Sequence, residues 1–370
     1  MTNHQAPIKK YPLLPFSQLV YNMTRWMPGV YHFPITYRWV NGAKEKERIE
    51  QSIRSALANH PVFQMCTDRH GLHYAKPLDD IFHGPFHDVN ITVEGEDVLI
   101  HAQFSRILGD GKSGEILIED IRRAYEGLPL ESDDYWNYLE QYERRKSDPH
   151  YRISQEWLAK EFEDETVPVR PTIDRPLWTL FPPKAGLFKV DFADLHEQIN
   201  HLKDDQFISY EGIFSLCAAL AIAEYCGTHN AALTWAYEGR ETEMEQRIFG
   251  SLHRDIPFQI KNLKSPISNL KSDLIREARN QIRSGIAHSD YPYTLTAPYN
   301  KRWDYAVNVL RVPEIENNPK YAYALLDIEI HESEERLELW FRYSATHYKE
   351  SSIRRFAALV RKYVEWLLEE

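Results

Sequence analysis

Residues 105–111, Ser105-Arg106-Ile107-Leu108-Gly109-Asp110-Gly111, join two segments of different periodicity. Before them, Val98-Leu99-Ile100-His101-Ala102-Gln103-Phe104 reads as an apolar strand. After them, Ile116, Leu117, Ile121 and Ala124 recur at helical spacing over 112–126. The stretch is therefore a strand–loop–helix corner. Asp110-Gly111 suits a turn ahead of a helix, with Ser113 as the N-cap.

Working outward, 370 residues exceed one small domain and suggest two similar lobes. Hydrophobic residues make up 43% and aromatics 13%, enough for packed cores. No run of about 18 apolar residues occurs, so no membrane span is expected. The opening Met1-Thr2-Asn3-His4-Gln5-Ala6-Pro7 lacks the charged-then-apolar pattern of a signal peptide. Cys66, Cys217 and Cys226 lie in apolar contexts without metal-ligand spacing, which fits a reducing, cytoplasmic setting. A net charge of −11 argues against general nucleic-acid binding, which needs a basic surface. Arg144-Arg145-Lys146 is a local basic run on the solvated face of a helix.

The first part of the chain alternates strands and helices. A strand is expected over 29–40, then a helix over 43–59 with Ile49, Ile53, Ala56 and Leu57 on one face. His60 to Met65 reads as a short buried strand, followed by a turn at Arg69-His70-Gly71. Helices over 133–146 and 149–162 are separated by Ser147-Asp148-Pro149. The proline-rich, aperiodic segment 167–184 is the expected linker, dividing an N-terminal lobe (1–166) from a C-terminal lobe (185–370). The second part reads as helices over 191–202 and 209–225, the latter almost wholly apolar and so buried. Strands follow at 231–237 and 256–260, with a helix over 267–284. Strands near 305–310, 321–331 and 337–343 precede a terminal amphipathic helix from Ser351.

The corner at 105–111 resembles the His-His-x-x-x-Asp-Gly motif of condensation domains of nonribosomal peptide synthetases, and of related carrier- and coenzyme A-dependent acyltransferases. Asp110, Gly111 and Ser113 match, while Ser105 and Arg106 stand where the family has its two histidines. Further matches keep the family's order. Leu14 to Gln18 resembles the opening segment, Asn59-His60-Pro61 the end of the first helix, and Asp134-Tyr135 the segment after the motif helix. Gly239-Arg240 follows a strand as the family's Gly-Arg does. Gly250 to Phe258, Ala287 to Tyr293, Asp304 to Asn308 and Leu337 to Ser344 are similar to later family segments.

The resemblance implies an α/β (α+β) fold of two chloramphenicol acetyltransferase-like lobes in a V. The motif would lie midway along a channel between the lobes, with one thioester-bearing pantetheine arm entering from each face. It also implies that Asp110 is structural, paired with Arg240 from the second lobe. Substrate-side roles would fall to Gly111, His253 and Asn308.

The chemistry is less simple. Acyl transfer from a thioester needs a group that takes or positions the nucleophile's proton, and donors for the developing oxyanion. A neutral imidazole can accept that proton, but a guanidinium stays protonated and has no acceptor. Arg106 can stabilise an oxyanion or grip a phosphate or carboxylate, and Ser105 is a poor base. Losing a general base costs on the order of 10²–10⁴ in rate. His101 alternates onto the face opposite Arg106. His253 is the more interesting substitute, while His288 and Asp290 read as loop and cap residues. No His-x-x-x-His or Cys-x-x-Cys spacing occurs, so no metal is expected. Gly109 to Ser113 echoes the end of a phosphate-binding loop, but Ser105 sits where its upstream glycine belongs.

Two functions compete. One is an atypical acyltransferase forming an amide or ester, with no bound cofactor and a phosphopantetheine or coenzyme A thioester as substrate. Its partner would be an acyl or peptidyl carrier protein on another chain. The other is a catalytically inactive platform that recruits a carrier or a tailoring enzyme. Retention of Asp110-Gly111 and of the channel segments favours the transferase, and the lost histidines leave catalysis the open question.

Overall fold

The computed structural model describes residues 9–25, 31–68, 70–162, 167–176, 183–263, 271–293, 307–311, 321–334 and 336–369. By contacts between residues the chain divides into two units, and the division is not sequential. The first unit holds the chain up to Arg145 together with Glu238–His253; the second holds Lys146–Tyr237 and most of the chain from Arg254 onward. Residues 146–162, expected with the N-terminal lobe, group with the second unit. Of the expected linker, the described residues 167–176 and 183–184 group with that unit as well.

In the first unit, β1 (His32–Trp39), β4 (His83–Gly84), β5 (His87–Glu94) and β6 (Asp97–Ser105) form an antiparallel sheet in the order β1-β6-β5-β4. β6 is central, pairing His32 with Ser105 on one side and His87 with Phe104 on the other. Alternation along β6 buries Val98, Ile100, Ala102 and Phe104 while His101 and Gln103 face solvent. α2 (Lys46–Asn59) buries the expected stripe of Ile49, Ile53, Ala56 and Leu57 and packs beside α3 (Gly111–Glu126). α1 (Pro15–Thr24) starts on Pro15, whose missing N–H costs nothing at a helix start. The strand expected over 60–65 is instead a 3₁₀ turn, Pro61–Gln64, leading into β2 (Met65–Thr67). Pro61 fixes a helical φ and removes a ladder donor, which decides the matter against a strand. β2 pairs with β3 (His73–Ala75), and α4 (Tyr135–Arg145) completes the described elements of this unit.

The second unit is built on a six-stranded sheet in the order β7-β12-β11-β10-β8-β9. Its strands are β7 (Ala185–Asp191), β8 (Ala231–Tyr237), β9 (Arg254–Ile260), β10 (Asn308–Arg311), β11 (Leu326–Glu332) and β12 (Leu337–Ser344). β10 runs parallel to both neighbours, and the other pairings are antiparallel. α7 (Tyr210–Cys226) is apolar all round and buried from Ile213 to Ala223, in line with its composition. Ser209 caps it by accepting the Gly212 N–H. α8 (Lys271–Ala287) and α9 (Glu350–Leu368) pack against α7, while α5 (Pro149–Glu161) and α6 (His196–Gln206) complete the described helices. Among the described residues no single helix is long and apolar enough to cross a membrane. Only α6 and α7 pass by composition, as a pair bent by 105°.

Candidate functional site

The corner from Ser105 to Asp110 is tied down through its backbone. Ser105 N–H donates to Phe86 O (2.7 Å) and Arg106 N–H to Tyr31 O (2.9 Å). Ile107 N–H donates to Ser105 Oγ (3.3 Å), Leu108 N–H to Ser105 O (2.9 Å), and Ser17 Oγ of α1 to Ile107 O (2.9 Å). Ser105 is thus a turn residue: it is fully buried, and its hydroxyl oxygen accepts a loop amide. Arg106 is half-buried and alone keeps a polar head at the position of the second motif histidine. Gly109 is required by close approach. A Cβ there would lie 2.7 Å from Phe249 Cε1 and 2.8 Å from Ser113 Oγ.

Asp110, not Ser113, is the N-cap of α3. It accepts the Ser113 N–H (3.1 Å), while Ser113 Oγ accepts the Asp110 N–H (3.2 Å), a reciprocal capping box. The same carboxylate meets Arg240 in a two-pronged ion pair, Nη1 to Oδ2 at 2.9 Å and Nη2 to Oδ1 at 3.0 Å. Oδ2 also accepts the N–H groups of Leu252 (2.9 Å) and His253 (3.1 Å). Burial works against this ion, but the Arg240 charge and hydrogen bonds outweigh it and hold the carboxyl below the usual carboxylate range. The resemblance placed Arg240 in the second lobe. In the structure Glu238–His253 leaves the edge of the second unit's sheet and groups with the first unit, so the pair lies within that unit.

That excursion carries one short 3₁₀ turn, Glu245–Arg247, and is otherwise held by side chains. Phe249 N–H donates to Asp133 Oδ2 (3.0 Å) and Gly250 N–H to Ser113 Oγ (3.1 Å). Arg240 Nη2 donates to the carbonyls of Ile248 (3.2 Å) and Gly250 (3.0 Å). Glu245, fully buried, accepts from the Glu241 and Thr242 amides and from Arg145 Nη2 at 2.8 Å. The Glu245 carboxyl is also held below its usual range, burial being outweighed by Arg145 and those amides. Arg145, read with Arg144 and Lys146 as a solvated helix face, instead turns its guanidinium onto the buried Glu245; Glu245 and Asp133 went unread as anchors, since no local spacing marks an anchor for a distant loop. A buried charge within an otherwise ordinary helix or turn was the available signal.

Of the other anticipated residues, Gly111 is exposed at the first position of α3. His253 is half-buried, with its ring edge-on to Phe16 at 4.2 Å between centroids. Ser105, Arg106, Asp110, Gly111, Arg240 and His253 therefore gather in the first unit. Asn308 opens β10 in the second unit, where its Oδ1 lies 3.4 Å from Thr234 Oγ1. Asp304 to Ala306, part of the same family segment, lie outside the described residues. His288 and Asp290 do more than cap a helix. Ser154 Oγ of α5 donates to Asp290 Oδ1 (2.6 Å) and lies 3.1 Å from His288 Nδ1, with Trp157 stacked on His288 at 4.5 Å. Ser154 is fully buried, so the group fastens α5 to the end of α8 and is not a nucleophile. Among the described residues no cluster of three or more His, Cys, Asp or Glu is arranged to hold a metal.

Solved structures with the same fold are distant in sequence. The epimerization domain from the third module of tyrocidine synthetase B is 15% identical, with 99% of each chain covered and a TM-score of 0.79. The EpoB NRPS cyclization-docking bidomain of Sorangium cellulosum is 12% identical over 98% of this chain and 85% of that one, with a TM-score of 0.79. The starter condensation domain of rhizomide synthetase, as a point mutant in complex with C8-CoA, is 13% identical over 97% and 94%, with a TM-score of 0.78. No curated sequence matches the chain. The model of the Condensation domain family matches residues 85–303, a span that contains the motif corner, the Asp110–Arg240 pair and two strands of the second unit's sheet beyond β7. The chain belongs to the Condensation domain family.

Proposed function

We propose that this protein is an atypical condensation-type acyltransferase that forms an amide or ester from an acyl thioester. The thioester would be carried by phosphopantetheine on a separate carrier protein or by coenzyme A. The observation that carries this reading is the clamp around Asp110: capping box, two-pronged Arg240 and two backbone amides all converge on one buried carboxylate. Such a convergence fixes the loop that bears Arg106. A neighbour solved with C8-CoA supports a thioester of this kind as donor.

In this scheme Arg106 acts on charge, donating to the oxyanion that develops on the thioester carbonyl, because a guanidinium cannot take the nucleophile's proton. Acceleration then comes from positioning two reactants and from that donor. The amine or alcohol gives up its proton as the new C–N or C–O bond forms, and the thiol leaves with a proton.

The test is mass spectrometry of the purified protein with acyl-carrier and acyl-CoA thioesters and a panel of amines and alcohols. Product is expected from the native protein, and Arg106→Ala should cut its rate on the order of 10²–10³-fold. No product from the native protein, with turnover gained by Arg106→His, would instead establish the inactive platform that recruits a carrier or tailoring protein.

A further inference from the structure

His60 follows α2 and is buried, with its ring between two carboxylates. Nδ1 lies 2.7 Å from Asp133 Oδ2, and Nε2 lies 3.2 Å from Asp120 Oδ2 of α3. Asp120 is itself held by Asn59 Nδ2 at 3.1 Å. The Asp133 oxygen that meets His60 is the one that accepts the Phe249 N–H; the other accepts the Tyr135 N–H at the start of α4. The Phe249 ring sits 5.4 Å from the His60 ring and 4.7 Å from Phe63, and it closes the space beside Gly109. Asp120 and Asp133 are the charged groups that face the imidazole, and the aromatic rings of Phe63 and Phe249 are its other neighbours. Burial alone would lower the pKa of this histidine; the two carboxylates overcome that and raise it.

We propose that His60 is a positioning residue for the motif loop: bonded through Nδ1 to Asp133, with Asp120 beside its other nitrogen, it sets the carboxylate that holds the Phe249 amide, and Phe249 in turn backs Gly109. The kinetic consequence rests on the transferase reading above; the structural one does not. A ring that merely filled space would have no stake in which of its nitrogens is kept.

Two substitutions separate these cases. An asparagine amide nitrogen falls near the place of Nδ1, and a glutamine amide nitrogen near that of Nε2. His60→Asn therefore keeps a donor for Asp133, His60→Gln keeps one for Asp120, and both remove the ring and its charge. Amide hydrogen exchange, resolved at Phe249 and Gly250, should speed up on the order of 10–100-fold in His60→Gln. In His60→Asn it should stay near the native rate. Equal exchange in the two variants, or native exchange in His60→Gln, would overturn the proposal. Nitrogen NMR of the native protein gives a check that no unfolded variant can spoil. His60 Nδ1 should carry a proton at pH 7, where it meets Asp133, and a bare Nδ1 would overturn it. Where the native protein turns over thioester, His60→Gln should lower kcat more than His60→Asn with KM little changed, and equal loss would count against the proposal. An inactive native protein would sink the transferase reading, while amide exchange would still decide the role of His60.

Discussion

At the scale of single residues, Asp110 is the most heavily committed side chain at the site, and its partner Arg240 is equally buried. A buried ion pair is a poor source of net stability, but removing one member strands a charge away from water. Arg240→Ala and Asp110→Ala should each cost about 3–5 kcal/mol in urea unfolding. The double variant should cost clearly less than the sum of the two, because the stranded-charge penalty disappears. Additive losses would show that the two groups are held independently. Asp110 was legible in the sequence as a turn residue ahead of a helix, although the cap itself was expected at Ser113. Its more distant partners, the Leu252 and His253 amides, were not.

Among elements, α7 and α8 show how packing overrides propensity. Gly285 lies in the last turn of α8, and a Cβ added there would stand 2.4 Å from Ile256 Cγ2 of β9. Replacing a helical glycine with alanine normally gains about 1 kcal/mol. Here Ile256 is buried, and the overpacking penalty of about 1–3 kcal/mol reverses the sign. Gly285→Ala is therefore expected to lower the melting temperature, and an unchanged or higher value would mean that α8 can withdraw from β9. Helix and strand periods were readable along most of the chain, since a buried stripe or an alternating face is written in the local pattern. Residues 60–64 misled because a short apolar run has no period of its own, and Pro61 settled the outcome through φ.

For the molecule as a whole, pH acts through histidines of opposite sense, both in the first unit. His73 is fully buried against Trp136, and burial pushes its pKa down to about 4. The folded state then binds fewer protons than the unfolded one, so stability falls as pH drops from 6.5 toward 4. The loss amounts to about 3 kcal/mol. Unfolding measured across that range should steepen toward acid in the native protein and flatten in His73→Phe; parallel profiles would refute the assignment. His60 works the other way. Its raised pKa gives stability that is complete below pH 6.5 and fades as pH rises through the folded-state value.

The sequence by itself determined most of the strands and helices, the turn at Asp110-Gly111 ahead of α3 and the presence of Ser105 and Arg106 in that corner. These depend on neighbours within a few positions, so the pattern carries them. Tertiary structure alone decided that Ser105 is consumed by its own turn and that 238–253 packs away from the strands it connects. It also decided that His60 and Asp133, 73 positions apart, meet at Phe249, a further 116 along the chain from Asp133. Such ties arise because a buried amide or charge must find some partner. Which partner it finds is fixed by the folded backbone and by nothing local in the sequence.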